Sequence, residues 1–325
     1  MMKNNLLLIC LLFSLSVFSQ SPIEKGLLSI NKEKSEQYIG ILASDSLEGR
    51  GAGRWGGKAA SEYIKSVFEK LGIKPWKKEY FQCFDVSSGA DGWNAHRREP
   101  YKGLEMRNVL GYIEGRNTDE IVIIGAHYDH LGVVPNSTND SIYNGADDNA
   151  SGVAAVLQVA EAFLTSGQQP ERTIIFALWD AEEIGLIGSF HFVEDHFANL
   201  VIPRQYPQAI KGYINCDMIG RSDINRVVVY HSSNKPVLRS WIEAGIEKHN
   251  LNLLPEFKLS DDVPGGSDHA PFDMKGVPYV FYFTDLHDDY HQPGDHADKI
   301  NYDKVTSISK IAFLNLWEMA NTADF

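Results

Sequence analysis

Basic runs are missing from this sequence. So are internal repeats, low-complexity linkers, cysteine in quantity and, past the amino terminus, any long apolar stretch. Thirty Lys and Arg stand against 43 Asp and Glu, for a formal net charge of −13. Without a basic face, nucleic acid is excluded as the expected partner. Three cysteines in 325 residues are too few for a disulfide-built scaffold. Without a second apolar run, the chain past its amino terminus has nothing to cross a bilayer with. What is present is a 43% apolar composition, ordinary for a globular protein. The length suits one large α/β unit as well as two small ones.

The one long apolar run lies at the start. Met1 to Asn5 is short and carries Lys3, Leu6 to Val17 is apolar, and Val17 and Ser19 stand at the minus-three and minus-one positions of a cleavage site. Residues 1–19 therefore read as a secretory signal peptide, with an exported product, periplasmic or extracellular, and no membrane association after cleavage. An uncleaved anchor is the alternative, against which the shortness of the run argues. A lipoprotein reading at Cys10 is disfavoured, because Ile9 before it is not small. Cys83 and Cys216 then permit one disulfide. Cys216, beside an acid at a strand end, reads as a buried free thiol.

Past the leader, Glu33 to Gly72 reads as helical around a Gly-rich stretch, Glu48 to Arg54. Ala60, Ile64, Val67, Phe68 and Leu71 recur at helical spacing, and Gly72 is placed to end that helix. The Gly-rich stretch has neither a preceding strand nor a Walker lysine, so it reads as a surface turn rather than a phosphate loop. Phe81 to Arg107 reads as irregular. Strands are expected at Asn108–Ile113, Glu120–Gly125, Arg172–Trp179, Ala209–Asp217, Arg226–His231 and Pro278–Phe283. Helices are expected at Ser151–Leu164, Gly185–His196, Pro236–His249 and Asp303–Thr322. Alternation of this kind predicts an α/β fold, a mixed, largely parallel sheet sandwiched between helices, with 20–325 as one domain.

Five segments at or near the strand ends carry metal-binding side chains. They are Ala126-His-Tyr-Asp-His130, Gly145-Ala-Asp-Asp-Asn149, Trp179-Asp-Ala-Glu-Glu183, Asn215-Cys-Asp-Met218 and Asp289-Tyr-His-Gln-Pro293. In open α/β sheets, ligands collect at the carboxyl ends of the strands. Imidazole and carboxylate donors suit zinc. His127 is the first candidate ligand, with Asp129 placed to accept its second N–H. Asp147 and Asp148 precede a helix. A cap explains one Asp but not two, and a carboxylate here can bridge two cations about 3.5–4 Å apart. Glu182 and Glu183 suit one ligand and one base, but two solvated acids in a first helical turn are an equal alternative on local grounds. Asp217 ends an apolar strand and needs a counter-charge. His291 is the last candidate, with His269 and, more weakly, His130 as competitors. The acids Asp285, Asp288, Asp289, Asp295 and Asp298 read as a solvated loop.

Taken together, the segments resemble the secreted co-catalytic zinc aminopeptidases, relatives of bacterial leucyl aminopeptidases and of glutaminyl cyclases. The likeness runs from about Leu42 to the carboxyl terminus, and includes Leu42-Ala-Ser-Asp-Ser-Leu-Glu-Gly-Arg50 and Gly266-Ser-Asp-His-Ala-Pro-Phe272. The resemblance implies a zinc-exopeptidase fold and two zinc ions per chain. One would be held by His127, Asp148 and Asp217, the other by Asp148, Glu183 and His291. It also implies Glu182 as general base, Tyr290 as a stabiliser of the oxyanion and a cis peptide at Asp148-Asn149. Residues 80–107 are too few for the protease-associated domain inserted in some relatives. The implied activity is hydrolysis of the first peptide bond of peptides with a free amino terminus. Glutaminyl cyclisation, hydrolysis of other small amides or dipeptides, and a binding module on the same fold are the alternatives. Trp76, Trp93, Phe272 and Tyr282 are candidate pocket residues. Oligomeric state is not legible.

Overall fold

A computed structural model of the chain describes residues 20–87, 98–134, 140–198, 209–222, 225–259 and 266–325. The expected leader, 1–19, and Trp93 lie outside the described residues.

The sheet is built from β1 (Lys74–Pro75), β2 (Phe81–Phe84), β3 (Met106–Ile113), β4 (Asn117–His127), β7 (Arg172–Trp179), β8 (Ala209–Cys216), β9 (Arg226–His231), β10 (Leu254–Leu259) and β11 (Tyr279–Phe283). A separate short hairpin pairs β5 (Gly132–Val133) with β6 (Ile142–Tyr143). The strand order is β1-β3-β7-β4-β8-β11-β9-β10, with β2 also on β3. The four neighbours β7, β4, β8 and β11 run parallel. Antiparallel strands join on either side of that block, β3 against β7 and β9 against β11.

The two-residue period of the central strands divides their side chains between two cores. Val122, Ile124, Phe176, Leu178, Ile214 and Cys216 pack with the helices Gly152–Ser166 and Tyr302–Asn321. Ile121, Ile123, Ile175, Trp179 and Tyr213 pack on the other face, with Phe192 and Phe272. Apolar residues on both faces of a strand are what a helix-covered parallel sheet requires.

Most expected elements appear within two or three residues of their expected ends. Three differences have physical reasons. Phe81 to Arg107 is not all irregular, because β2 and the start of β3 lie in it. β10 was not expected, because an edge strand with the exposed Leu254 and Leu259 carries no clean alternation. The Gly-rich stretch is not a surface turn. Its Arg50 is completely buried, and Gly51 bridges to His130. The two remaining cysteines are free, Cys83 exposed and Cys216 buried, where burial pushes its thiol upward.

Arg50 ties three segments together through their backbone. Its guanidinium donates to the carbonyls of Leu42 (2.5 Å), Asn144 (2.6 Å), Gly145 (2.8 Å) and Tyr128 (2.8 Å). Tyr128 follows β4, and Asn144 and Gly145 lead to Asp148, so the side chain fixes two site-bearing loops against each other. Arg50→Met keeps the apolar stem and strands the four carbonyls. Each buried unpaired acceptor costs about 1–3 kcal/mol. We expect urea denaturation to show a loss of at least about 3 kcal/mol. An unchanged midpoint would show that water replaces the guanidinium without cost.

Candidate metal centre

The carboxyl ends of the four parallel strands lie side by side, and each supplies part of one pocket. β4 ends on His127. β7 ends on Trp179, and a turn with Ala181 at φ 61° then presents Glu182 and Glu183 before the helix Ile187–Ala198 begins. β8 ends on Cys216, one residue before Asp217. The segment after β11 carries Tyr290 and His291. Asp148 arrives from the irregular turn before the helix Gly152–Ser166, and its peptide to Asn149 is cis, as the resemblance implied. His127, Asp148, Glu182, Glu183, Asp217, Tyr290 and His291 all line this pocket.

Two sets of donors converge. His127 Nε2 is 3.3 Å from Asp148 Oδ1 and 3.3 Å from Asp217 Oδ1. On the other side of Asp148, His291 Nε2 is 3.2 Å from Oδ2 and 3.0 Å from Glu183 Oε2. Asp148 thus offers one oxygen to each set. His130 also stands there, with Nδ1 2.7 Å from Glu183 Oε1. Among the described residues, three triples have all their donor atoms within 4.8 Å of one another, His127-Asp148-Asp217, His130-Asp148-Glu183 and His127-Glu182-Glu183. His291 joins the second through its contacts to Asp148 and Glu183.

Neighbouring polar groups orient these side chains. His127 Nδ1 faces the carbonyl oxygen of Asp129 at 3.1 Å. A carbonyl only accepts, so Nδ1 carries a proton and Nε2 is the nitrogen that faces the gap. The sequence reading gave this task to the Asp129 carboxylate. That group is 3.7 Å away and instead accepts from the backbone N–H groups of Glu182 (3.0 Å) and Glu183 (3.3 Å), fixing the turn of the two acids. Asp295 does the same for the bridging acid, accepting from the N–H groups of Asp147 (2.9 Å) and Asp148 (3.0 Å).

A buried chain of hydrogen bonds ends on Asp217. Trp179 Nε1 donates to Tyr213 OH (2.9 Å), which donates to Asn215 Oδ1 (2.8 Å). Asn215 Nδ2 donates to Ser267 Oγ (2.8 Å), and Ser267 donates to Asp217 Oδ2 (2.7 Å). Because indole is donor only, every later direction in the chain follows. Gly125 leaves room for it, since a Cβ there would lie 2.5 Å from Trp179 Nε1.

In the metal-free chain the two adjacent glutamates behave oppositely. Burial pushes the Glu182 carboxyl well above its ordinary value, with Glu183, Asp268 and Asp217 adding to the push. Burial and Asp148 also press Glu183 upward, but hydrogen bonds from His130 and His291 bring it below the usual range. Burial opposes a charge on His127, yet Asp217 and Glu182 hold its pKa well above the usual value. His291 is raised to about 10 against its burial by hydrogen bonds to Asp148 and Glu183.

Several sequence candidates stand elsewhere. Asp147 accepts from Gly220 N at 2.6 Å and faces His287. His269 is buried against the rings of Tyr279 and Phe281, and burial pushes it down to about 3. In the acidic loop Asp288 and Asp298 are exposed, as expected, while two others meet bases outside it. Asp289 meets Arg221 (2.6 Å) and Lys299 (2.8 Å), and Asp285 meets Arg226 (3.2 Å). Asp295 is buried rather than solvated. Phe272 stacks on Tyr213, Tyr282 is a core residue and Trp76 packs on Tyr112, so none of the three lines the pocket. Its apolar wall is Met218, Tyr230, Phe281, Phe283 and Leu286. Their scattered positions gave no sequence signal. Ser267 and Asn215 also went unread, because a hydroxyl and an amide on a buried strand end carry no spacing rule.

If Ser267 leaves Asp217 a single free oxygen, Ser267→Ala should weaken a divalent ion in the His127 set by about 10–100-fold. Competition with a chromogenic chelator measures it. Equal affinity in both proteins would show that the hydroxyl does not govern Asp217.

The sequence model of peptidase family M28 matches residues 108–315. Leupeptin-inactivating enzyme 1 of Streptomyces exfoliatus is 28% identical over 286 residues, covering 87% of this chain and 55% of that protein. The chain therefore spans about half the length of that relative. Among solved structures, BSAP, a zinc aminopeptidase from Bacillus subtilis, superposes with a TM-score of 0.68 at 16% identity, over 91% of this chain and 97% of that one. A glutaminyl cyclase from Fimbriiglobus ruber superposes with a TM-score of 0.70 at 18% identity, over 89% and 95%. At these identities the two structures share the fold with this chain, a mixed sheet with a parallel centre between helices. The matched segment spans every converging donor, and the chain belongs to peptidase family M28.

Proposed function

We propose that this chain is an exported zinc aminopeptidase, with residues 20–325 as one catalytic domain, hydrolysing the first peptide bond of peptides with a free amino terminus. The observation that carries the reading is Asp148, one oxygen in each of two donor sets, beside a raised Glu182. Family membership supports a metal-dependent peptidase. The donor chemistry fits zinc, because imidazole and carboxylate are offered and the one nearby thiol, Cys216, belongs to the core below. His127, Asp148 and Asp217 would hold one ion, and Asp148, Glu183 and His291 the other. Bound there, the pair would supply Lewis acidity and a water acidified to a pKa of about 7.

The chain's own residues do the rest. Glu182 takes the proton of the attacking water and passes it to the leaving amine nitrogen. Tyr290 keeps its proton, since burial and the nearby acids Asp148, Glu183 and Glu182 push its hydroxyl upward. It can therefore donate to the carbonyl oxygen as charge develops. Its ring stacks on His291 at 3.8 Å, which fixes where that hydroxyl points. The acidic surround favours a substrate amine over an acylated terminus. Glutaminyl cyclisation uses the same fold. The complete second donor set favours hydrolysis over it.

Glu182→Gln should retain its metal and lose about 10²–10⁴-fold in kcat. Joint loss of metal and turnover would make Glu182 a ligand instead. On aminoacyl-p-nitroanilides, the apolar wall should favour leucyl and phenylalanyl over arginyl substrates, and N-acetylated substrates should not react. Cleavage of acetylated substrates, or release of pyroglutamate from a glutaminyl substrate, would contradict the aminopeptidase.

Metal binding should also release protons. With its pKa raised to about 10 in the metal-free chain, His291 carries at pH 7 a proton that an incoming ion must displace. His127, raised well above its ordinary value by Asp217 and Glu182 against its burial, adds to the effect. Affinity should therefore rise with pH across pH 6–8, by up to about two log units per pH unit. Calorimetry in buffers of different ionisation enthalpy gives the proton count. A buffer-independent enthalpy would mean that the imidazoles are already neutral.

A further inference from the structure

The proposed reaction leaves His130 without a task, although the residue is 1% exposed and stands inside the second donor set. Its Nδ1 lies 2.7 Å from Glu183 Oε1 and 3.7 Å from Asp148 Oδ2. Two donors on one tetrahedral zinc, each about 2.0–2.1 Å from it, lie about 3.3 Å apart. The His291 contacts to Asp148 (3.2 Å) and Glu183 (3.0 Å) are near that spacing. The His130 contact is shorter, at the length of a charge-assisted hydrogen bond. Its Nε2 is buried and meets no partner, so in the neutral ring the proton belongs on Nδ1.

The ring is fixed in place. A Cβ at Gly145 would come within 2.5 Å of it, and Gly145, at φ 56°, is itself tied to Arg50. The backbone N–H of His130 donates to Arg50 O at 3.2 Å. Asp217 offers a parallel, since Ser267 occupies one of its oxygens and leaves the other toward His127.

We infer that His130 is a positioning residue. Its Nδ1–H occupies Oε1 of Glu183 and leaves Oε2 as the single oxygen facing the second metal. The inference rests on the proposed second site holding an ion.

Three proteins test it: wild type, H130N and H130A, each loaded with zinc in chelator competition and with Co²⁺ for its visible spectrum. Asparagine places an amide N–H near the Nδ1 position, whereas alanine has no donor. H130A should weaken the second equivalent by about 10–100-fold and alter the Co²⁺ absorption of that site. H130N should stay within about threefold of wild type and keep its spectrum. If H130A does not fold, H130L fills the ring's volume without a donor and replaces it. Equal affinity of H130A and wild type overturns the inference. So does an H130N as weak as H130A, which would make the imidazole a direct ligand. A wild type that takes up one ion removes this inference and the two-metal reading together. Two ions in wild type with no effect in H130A remove this inference alone.

Discussion

Buried negative charge is the constraint on which this structure turns. Asp129, Asp148, Asp180, Glu183, Asp217 and Asp268 are all buried near one another, with Glu182 beside them. Ionised carboxylates in such a place cost several kcal/mol each unless something opposes them. In the metal-free chain part of the answer is a proton. Burial pushes Asp268 up to about 7 and Asp180 up to about 6, and it raises Asp129 as well. The other part is the imidazolium of His127 and His291. Protons and divalent ions therefore compete for the same charge, which couples metal loading to pH. Arg50 contributes a fixed positive charge within the field of Asp148, Asp295, Asp129 and Glu183, though its hydrogen bonds go to carbonyls.

The fold meets this constraint with backbone as much as with side chains. Four parallel strands end together, and the loops beyond them must hold acids that repel one another. Asp129 accepts two N–H groups of the Glu182-Glu183 turn, and Asp295 accepts two from the Asp147-Asp148 turn. An acid that holds the loop of another acid makes the loops mutually dependent. Arg50 closes the arrangement from below by gathering the carbonyls of Tyr128, Asn144 and Gly145. A pocket built this way gains its geometry from the fold before any ion enters.

The sequence made some layers of this legible and not others. The central strands could be read because apolar residues on both faces leave long runs of β-formers, Ile121 to Ile124 and Thr173 to Phe176 among them. His127, Asp217 and the Glu182-Glu183 pair could be marked as candidates because they end or closely follow such runs. Asp148 rather than Asp147, Glu183 rather than Glu182, and His291 as last ligand were implied by the family resemblance. The structure brings the donor atoms of His127, Asp148, Glu183, Asp217 and His291 together. The orienting groups could not. Nothing local distinguishes Ser267 or Asn215 from other polar residues, and the role of Asp129 changed once its carbonyl proved nearer to His127 than its carboxylate. Arg50 was missed for a related reason. Glycines on both sides suggested a surface turn, whereas they let the backbone close around a buried guanidinium.

Glu182 and Glu183 show why such groups decide function. They are neighbours in one turn, with the same side chain and backbone N–H groups tied to the same carboxylate. Sequence alone allows either to be ligand or base. Their surroundings separate them. Glu183 takes an imidazole contact on each oxygen, from His130 at 2.7 Å and His291 at 3.0 Å, and its pKa falls. Glu182 meets the pocket among acids, and its pKa rises. Two like groups driven apart in pKa is the pattern that assigns an acid–base partner and an ionised ligand in enzyme sites. Proton affinity suits the group that must accept and return a proton, and a low pKa suits the one that must stay charged beside a cation. The proposed division of labour between two identical residues therefore lies in the histidines that touch only one of them.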